Sequence, residues 1–273
     1  MEDVKWKHEK LLYPVVRIYT AKAAGSGTII YSKSDPQNEG DFLTFVLTNH
    51  HVIGECIKYK KEWDSVLKRE IEKEFLEIPR IEVFDYVRLS TVNSSNAYRA
   101  EIIAYDKNHD LAVLKIDSPK QFDYVAELIP KEEIKNLRLF EHIVVSGCTM
   151  AHEPFCTYGQ LTFLKELIEQ RLYCMYNAGS YFGNSGGALL LKETGQLIGV
   201  PSRLTGIQLG FGIDMVTHMG FAAHPARIYE FLEEQELHFL WNSDTFYDAL
   251  EKRERRKKDA LLALKAEMAK DGK

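Results

Sequence analysis

Gly183-Asn184-Ser185-Gly186-Gly187-Ala188-Leu189-Leu190-Leu191, then Lys192-Glu193-Thr194-Gly195, then Gln196-Leu197-Ile198-Gly199-Val200, is the stretch on which the reading of this chain turns. A serine flanked by glycines leads into a short apolar run, a Thr-Gly turn and a second short apolar run. Runs this brief, bounded by turn residues, read as strand, turn, strand. A serine hydroxyl is a weak nucleophile at neutral pH and needs a base within hydrogen-bond reach. Glycines beside it let the backbone turn sharply and aim N–H groups at a developing oxyanion. Taken alone, residues 183–187 could equally be a plain tight turn between strands.

Two segments upstream supply what the serine lacks. Leu47-Thr48-Asn49-His50-His51-Val52 ends one apolar run, and Tyr105-Asp106-Lys107-Asn108-His109-Asp110 feeds another, Leu111-Ala112-Val113-Leu114-Lys115. A histidine can take the serine proton, provided a carboxylate on its other ring nitrogen fixes tautomer and orientation. The Gly-x-Ser-x-Gly pattern also occurs in α/β-hydrolases, where the serine opens a helix and the acid and base follow it in sequence. Here the serine opens a strand and follows both, the chain order of a chymotrypsin-like double barrel.

The chain resembles the trypsin-like serine proteases, and among them the HtrA-type branch. That branch carries a Gly-Ser-Gly turn, Thr-Asn-x-His-Val, Tyr-Asp-x-x-x-Asp-Leu-Ala-Val-Leu-Lys and Gly-Asn-Ser-Gly-Gly, in that order. All four stand here, at 25–27, 48–52, 105–115 and 183–187, and the resemblance covers about Val15 to Leu232. It implies that His51 is the general base, with His50 in the variable position. It implies that Asp110 is the orienting carboxylate, that Asp106 closes its turn, and that Ser185 is the nucleophile. The oxyanion hole is expected from the backbone N–H groups of Gly183 and Ser185, with Asn184 contributing. Asn184 also occupies the position where digestive enzymes carry a carboxylate that pairs with a freshly cut N-terminus, so no activating clip is expected. A PDZ domain of the kind common in the branch is not expected either, because only about Glu233 to Lys273 remains. The primary pocket is expected from Ser180, Tyr181, Phe182, Val200, Phe211 and Asp214. An apolar pocket partly filled by Tyr181 or Phe211 favours small or medium apolar residues, whereas an inward Asp214 would select a basic one.

The rest of the chain fits an all-β architecture with three helical departures. Val15–Tyr19, Thr28–Tyr31, Phe42–Leu47, Ile81–Leu89, Tyr98–Ala104, Leu111–Ile116 and Ile143–Val145 read as further short strands among turn residues. Trp63, Val66, Leu67, Ile71 and Phe75 recur at helical spacing among Lys and Glu, so the segment of about 56–80 is expected to be an inserted amphipathic helix. A second helix begins near Pro225 and carries Ile228, Phe231 and Leu232. Residues 1–232 are thus expected to form the protease domain and 233–273 a charged helical tail, which includes Lys252-Arg253-Glu254-Arg255-Arg256-Lys257-Lys258. Each appended element has two readings: covering structure, or a docking surface for a regulatory partner.

Composition excludes several alternatives. The chain has 273 residues, 45% hydrophobic and 27% charged, the balance of a globular protein rather than a disordered one. No run approaches the roughly 20 apolar residues of a membrane-spanning helix, so no membrane association is expected. A net charge of −5 argues against nucleic acid as a partner. Four cysteines make no disulfide framework, and Cys148, His152 and Cys156 are interrupted by Gly147 and Pro154, so no metal and no cofactor are expected. The charged start, Met1-Glu2-Asp3-Val4-Lys5, lacks the apolar core of a secretory signal, which suggests a cytoplasmic protein. The expected function is a serine endopeptidase acting on protein or peptide substrates through an acyl-enzyme. Its rival is a protease-fold binding protein, latent or gated by a partner.

Overall fold

A computed structural model describes residues 2–65 and 68–271. The chain divides into two compact units, one running to Ile228 and one starting at Tyr229.

The first unit begins with α1 (Glu2–Lys7), which continues into a π-helical turn at His8–Leu12. It then builds β1 (Val15–Tyr19), β2 (Ala24–Ser34), β3 (Phe42–Thr48) and a one-turn helix α2 (His50–Ile53). β4 (Ile57–Asp64), β5 (Arg69–Leu76), β6 (Arg80–Val87), β7 (Thr91–Asp106) and β8 (Leu111–Ile116) follow. β1, β2, β3, β8, β7 and β6 close into a first barrel. After a long connection come β9 (His142–Gly147), β10 (Phe155–Ile168), β11 (Arg171–Tyr176), β12 (Ala188–Leu191), β13 (Leu197–Leu209) and β14 (Gly212–Ala223). These close into a second barrel in the order β10-β11-β14-β13-β12-β9. Closure leaves neither sheet with an unpaired edge strand, which suits strands this short.

Each barrel is filled by its own inward row. Val16, Ile18, Ile29, Val46, Ile81, Ile102 and Leu114 meet inside the first, and Ile143, Val145, Leu161, Tyr176, Leu189 and Ile198 inside the second. Where two strands press together no side chain fits. A Cβ on Gly27 would lie 2.5 Å from Val46 Cγ1 and 2.8 Å from Ile18 Cδ1. Gly25-Ser26-Gly27, expected as a turn, therefore lies inside β2, where its glycines serve close approach of strands.

The inserted segment corrects the sequence reading. It is not a helix: β4 and β5 form a separate two-stranded hairpin, in register from Ile57 opposite Leu76 to Asp64 opposite Arg69. Val66 and Leu67, counted toward the helical stripe, lie outside the described residues. A helical stripe gains stability only by burying itself, and the first residue of this one, Trp63, is left 67% exposed. As a hairpin the same residues make cross-strand contacts instead. Lys73 reaches Glu62 at 3.2 Å, and Lys60 sits 5.0 Å over the Phe75 ring. The ends of the insertion are tied by the Glu77 N–H donating to the Cys56 carbonyl at 2.7 Å.

α3 (Pro225–Glu234) crosses the boundary between the units, and α4 (Phe246–Asp271) forms most of the second. Thr245 caps α4: its hydroxyl accepts the Asp248 N–H at 3.1 Å, while the Asp248 carboxylate accepts the Thr245 N–H at 2.9 Å. No helix among the described residues is long and apolar enough to cross a membrane.

Candidate active site

His51 and Asp110 are brought together at one end of the antiparallel β3–β8 pair. Thr48 ends β3 opposite Ala112 near the start of β8, so the residues just beyond each strand end are neighbours. The His51 ring Nδ1 lies 2.8 Å from Asp110 Oδ2 and 3.1 Å from Oδ1, and the His51 backbone N–H donates to Oδ1 at 2.9 Å. Two further groups fix Asp110, one at its carboxylate and one at its backbone. The Ser202 hydroxyl donates to Oδ2 at 2.5 Å, and the Asn49 side-chain amide donates to the Asp110 carbonyl at 2.8 Å. Asp110 holds a left-handed φ of 56°, unusual for a residue other than glycine and costly enough to need these restraints.

Burial alone would push the Asp110 carboxyl up. The hydrogen bond and positive charge of His51, the Ser202 hydroxyl and the His51 N–H outweigh it and hold the group below its ordinary range. The carboxylate side chain is 9% exposed and the imidazole 46% exposed, so the acid is sealed while the ring reaches the surface.

The neighbouring candidates do other work. Asp106 accepts the N–H groups of Asn108 and His109 at 2.6 and 3.2 Å, and its second oxygen meets His109 Nδ1 at 2.5 Å. It closes the turn that delivers Asp110. His50 stacks against Tyr105 with ring centroids 5.4 Å apart, and burial lowers its pKa despite the pull of Asp110.

The serine turn docks onto the same strand ends through backbone. The Ser26 N–H donates to the Ser185 carbonyl at 2.9 Å. A Cβ on Gly25 would lie 2.7 Å from Val52 Cγ1 and 3.3 Å from the Ser185 oxygen, so Ser185 and the residue after His51 meet across a missing side chain. Gly186 has φ +84°, and a Cβ there would lie 2.2 Å from both the Ser26 oxygen and Thr48 Oγ1. Gly183 has φ +98°, and a Cβ there would lie 2.6 Å from the Met150 nitrogen. Only glycine fits either position.

Asn184 departs from expectation. Its N–H donates to the Tyr181 carbonyl at 3.1 Å, and its side-chain oxygen accepts the Thr149 hydroxyl. Both groups are thus occupied, the N–H within the turn and the side-chain oxygen by the neighbouring loop.

The pocket residues separate into two groups. Ser180 is fully buried; its hydroxyl donates to the Tyr176 hydroxyl at 2.9 Å and its N–H to the Thr217 carbonyl at 2.8 Å. Burial pushes the Tyr176 phenol up to about 12, so this hydroxyl pair is uncharged at neutral pH. A Cβ on Gly220 would lie 2.6 Å from Ser180 Oγ and 2.5 Å from the Tyr176 ring, so Gly220 lies directly against this hydroxyl pair. Tyr181 and Phe182 are exposed beside it, and Tyr181 lies over Gly179, whose Cβ would stand 3.2 Å from the phenol oxygen. Val200 is fully buried opposite Ala223. Phe211 and Asp214 do not join the group. β13 and β14 stay paired as far as Leu209 opposite Gly212, which carries Phe211 to the tip of a projecting hairpin and leaves Asp214 exposed opposite Ile207.

The sequence reading missed the bond from Ser202 to Asp110. It likewise missed that the Ser26 hydroxyl donates to the Gly183 carbonyl at 2.6 Å and accepts the Cys148 N–H at 2.7 Å. A serine between strand glycines was the one available signal for the latter. Cys148 is a buried and Cys156 a half-buried free thiol, and the Cys156 sulfur lies 3.0 Å from the Ser146 hydroxyl.

Comparison with known proteins agrees with the fold. One structural match is the HtrA-type protease AlgW, a serine-to-alanine variant solved with a tripeptide: TM-score 0.58, 20% identity, covering 84% of this chain. The present chain spans 62% of that protein's length. No curated protein gives a significant sequence match. The trypsin-like peptidase domain matches residues 25–200, from the strand glycines through the serine turn. On that match, spanning well over half its length, the chain belongs to the trypsin-like peptidase domain family.

Proposed function

We propose that this protein is a serine endopeptidase in which Ser185 attacks a peptide carbonyl, His51 takes and returns the proton, and Asp110 holds His51. The observation that carries the reading is the doubly bonded His51–Asp110 pair, beside which the Ser185 turn is docked through Ser26 and Gly186. The bond from Nδ1 to a buried carboxylate leaves Nε2 free of its proton and able to accept one from a hydroxyl. The Gly183 and Ser185 N–H groups then receive the charge that develops on the carbonyl oxygen. His51 protonates the leaving amine, and water repeats the sequence on the acyl-enzyme. The substrate side chain at the scissile bond is small and uncharged, because the Ser180–Tyr176 hydroxyl pair offers no charge and Tyr181 narrows the approach.

The test is hydrolysis of an unfolded protein substrate, with the new termini read by mass spectrometry. Wild type is expected to cut after small uncharged residues, with the activity lost in both Ser185→Ala and His51→Ala. Cleavage that survives Ser185→Ala would refute the assignment.

A further inference from the structure

The residue before the nucleophile is Asn184, and among the described residues its side chain bonds to the neutral Thr149 hydroxyl, so a further contact is needed to stabilise the wall behind the serine turn. That wall is the loop Cys148–His152. It touches the turn twice more: the Met150 N–H donates to the Phe182 carbonyl at 2.7 Å, and the Met150 nitrogen lies 2.6 Å from where a Gly183 Cβ would stand. The loop is not restful backbone. Met150 and Ala151, neither of them glycine, have φ of 50° and 60°. Such a conformation persists only where its surroundings over-determine it.

The restraint comes from the other barrel. Arg17 on β1 donates through Nη1 to the Ala151 carbonyl. Its Nε and Nη2 both donate to Glu82 on β6, at 2.8 and 2.5 Å, and the Ser95 hydroxyl donates to the second oxygen of Glu82. The guanidinium lies 5.0 Å over the Tyr19 ring and 5.1 Å over the Phe84 ring. Arg17 and Glu82 side chains are only 14% and 15% exposed. A planar fork held this way cannot swing, so the N–H aimed at Ala151 is fixed in direction. The loop's contacts with Phe182, Gly183 and Asn184 are made by Thr149 and Met150, the two residues directly before the gripped Ala151.

We propose that Arg17 is a positioning residue for the oxyanion hole: from the first barrel it clamps Ala151, and through loop 148–152 it sets the direction of the Gly183 and Ser185 N–H groups. The inference rests on the serine-peptidase reading above. It makes the junction of the two barrels, rather than a charge on Asn184, the element that keeps the site competent. Arg17 touches no reacting atom.

The test compares Arg17→Lys, which keeps a cation beside Glu82 but lacks the fork, with the double variant Arg17→Met/Glu82→Gln, which removes the buried charge pair together. Two quantities are read for each: kcat and KM on a peptide amide, and affinity for a peptide boronic acid, whose tetrahedral adduct fills the oxyanion hole. Removing one oxyanion donor costs on the order of 100-fold or more, so misaiming both predicts a fall of about 10- to 100-fold in kcat and in boronate affinity. KM for the amide is expected within about twofold of wild type, with an unchanged circular dichroism spectrum. Thr149→Val is expected to act on the same loop, so combined with Arg17→Lys it costs less than the product of the two effects. Wild-type kcat and boronate affinity in both variants would overturn the proposal, as would equal losses in kcat and substrate affinity. If wild type itself shows no Ser185-dependent turnover, the peptidase reading falls and takes this inference with it; wild-type behaviour of the variants removes only the clamp.

Discussion

Replacing Asp110 by Asn changes one atom, and the hydrogen bonds around it dictate the result. Oδ1 accepts the His51 backbone N–H, which has no acceptor capacity, so the amide oxygen must take that side. The new NH2 then faces His51 Nδ1 and the Ser202 hydroxyl, both donors to the native carboxylate. Ser202 can rotate its proton away, and the imidazole can accept at Nδ1 only by moving its own proton to Nε2. That tautomer cannot take the Ser185 proton. The loss expected from a wrong tautomer with intact geometry is about 10⁴-fold in kcat, or roughly 5.4 kcal/mol of transition-state stabilisation. The assay is the burst of a chromogenic ester followed by steady-state turnover, which separates acylation from folding. The same variant tests linkage. Because the folded pKa of Asp110 is depressed, its contribution to stability is present above the ordinary carboxylate value of about 3.9 and is lost as pH falls through the folded value. The stability difference between wild type and Asp110→Asn in denaturant should therefore shrink in acid. A variant within tenfold of wild-type kcat at neutral pH would refute the argument.

Other consequences are more local. Ser202→Ala removes one charge-assisted bond to a buried carboxylate, so the Asp110 pKa rises and stability falls by about 1.5–3 kcal/mol, read by urea titration. Gly183→Ala must place a methyl against backbone at 2.6–2.7 Å in a positive-φ residue, and is expected to abolish turnover of an otherwise folded protein. The thiols of Cys148, Cys156 and Cys174 are pushed up to about 12, 11 and 12 by burial, so a chromogenic disulfide reagent at pH 8 should meet them only after denaturation. Excising Ile57–Leu76 and joining Cys56 to Glu77 through Asn-Gly should leave a cooperatively folding barrel, because that hairpin pairs with neither barrel and its ends are already bridged.

What the sequence made legible was what depends on local pattern. Glycines at 183, 186 and 187 and the order of His51, Asp110 and Ser185 announce a strained turn and its partners before any contact is known, and the double barrel follows from strands too short to be stable alone. The hairpin at 57–76 was misread because Trp63, Ile71 and Phe75 satisfy a helical period and, among alternating Lys and Glu, a strand period as well. What separates the two is how the segment packs on its surroundings, and that is a tertiary fact. Phe211 and Asp214 were placed in the pocket for a related reason. Sequence gives the strands on either side of Gly210 but not how far their pairing continues, and pairing out to Leu209 moves both residues onto a projecting hairpin. The Ser202–Asp110 bond and the Arg17–Ala151 grip join residues 92 and 134 positions apart, a distance across which no periodicity speaks.

The central claim is that Ser185 is a nucleophile made reactive by His51 and Asp110. Incubation with a fluorophosphonate, followed by intact-mass and peptide mapping, tests it without knowledge of the substrate. The account predicts one covalent adduct, located on Ser185, absent from Ser185→Ala and strongly slowed in His51→Ala. Folded wild-type protein that takes no label, or an adduct elsewhere that persists in Ser185→Ala, would contradict it.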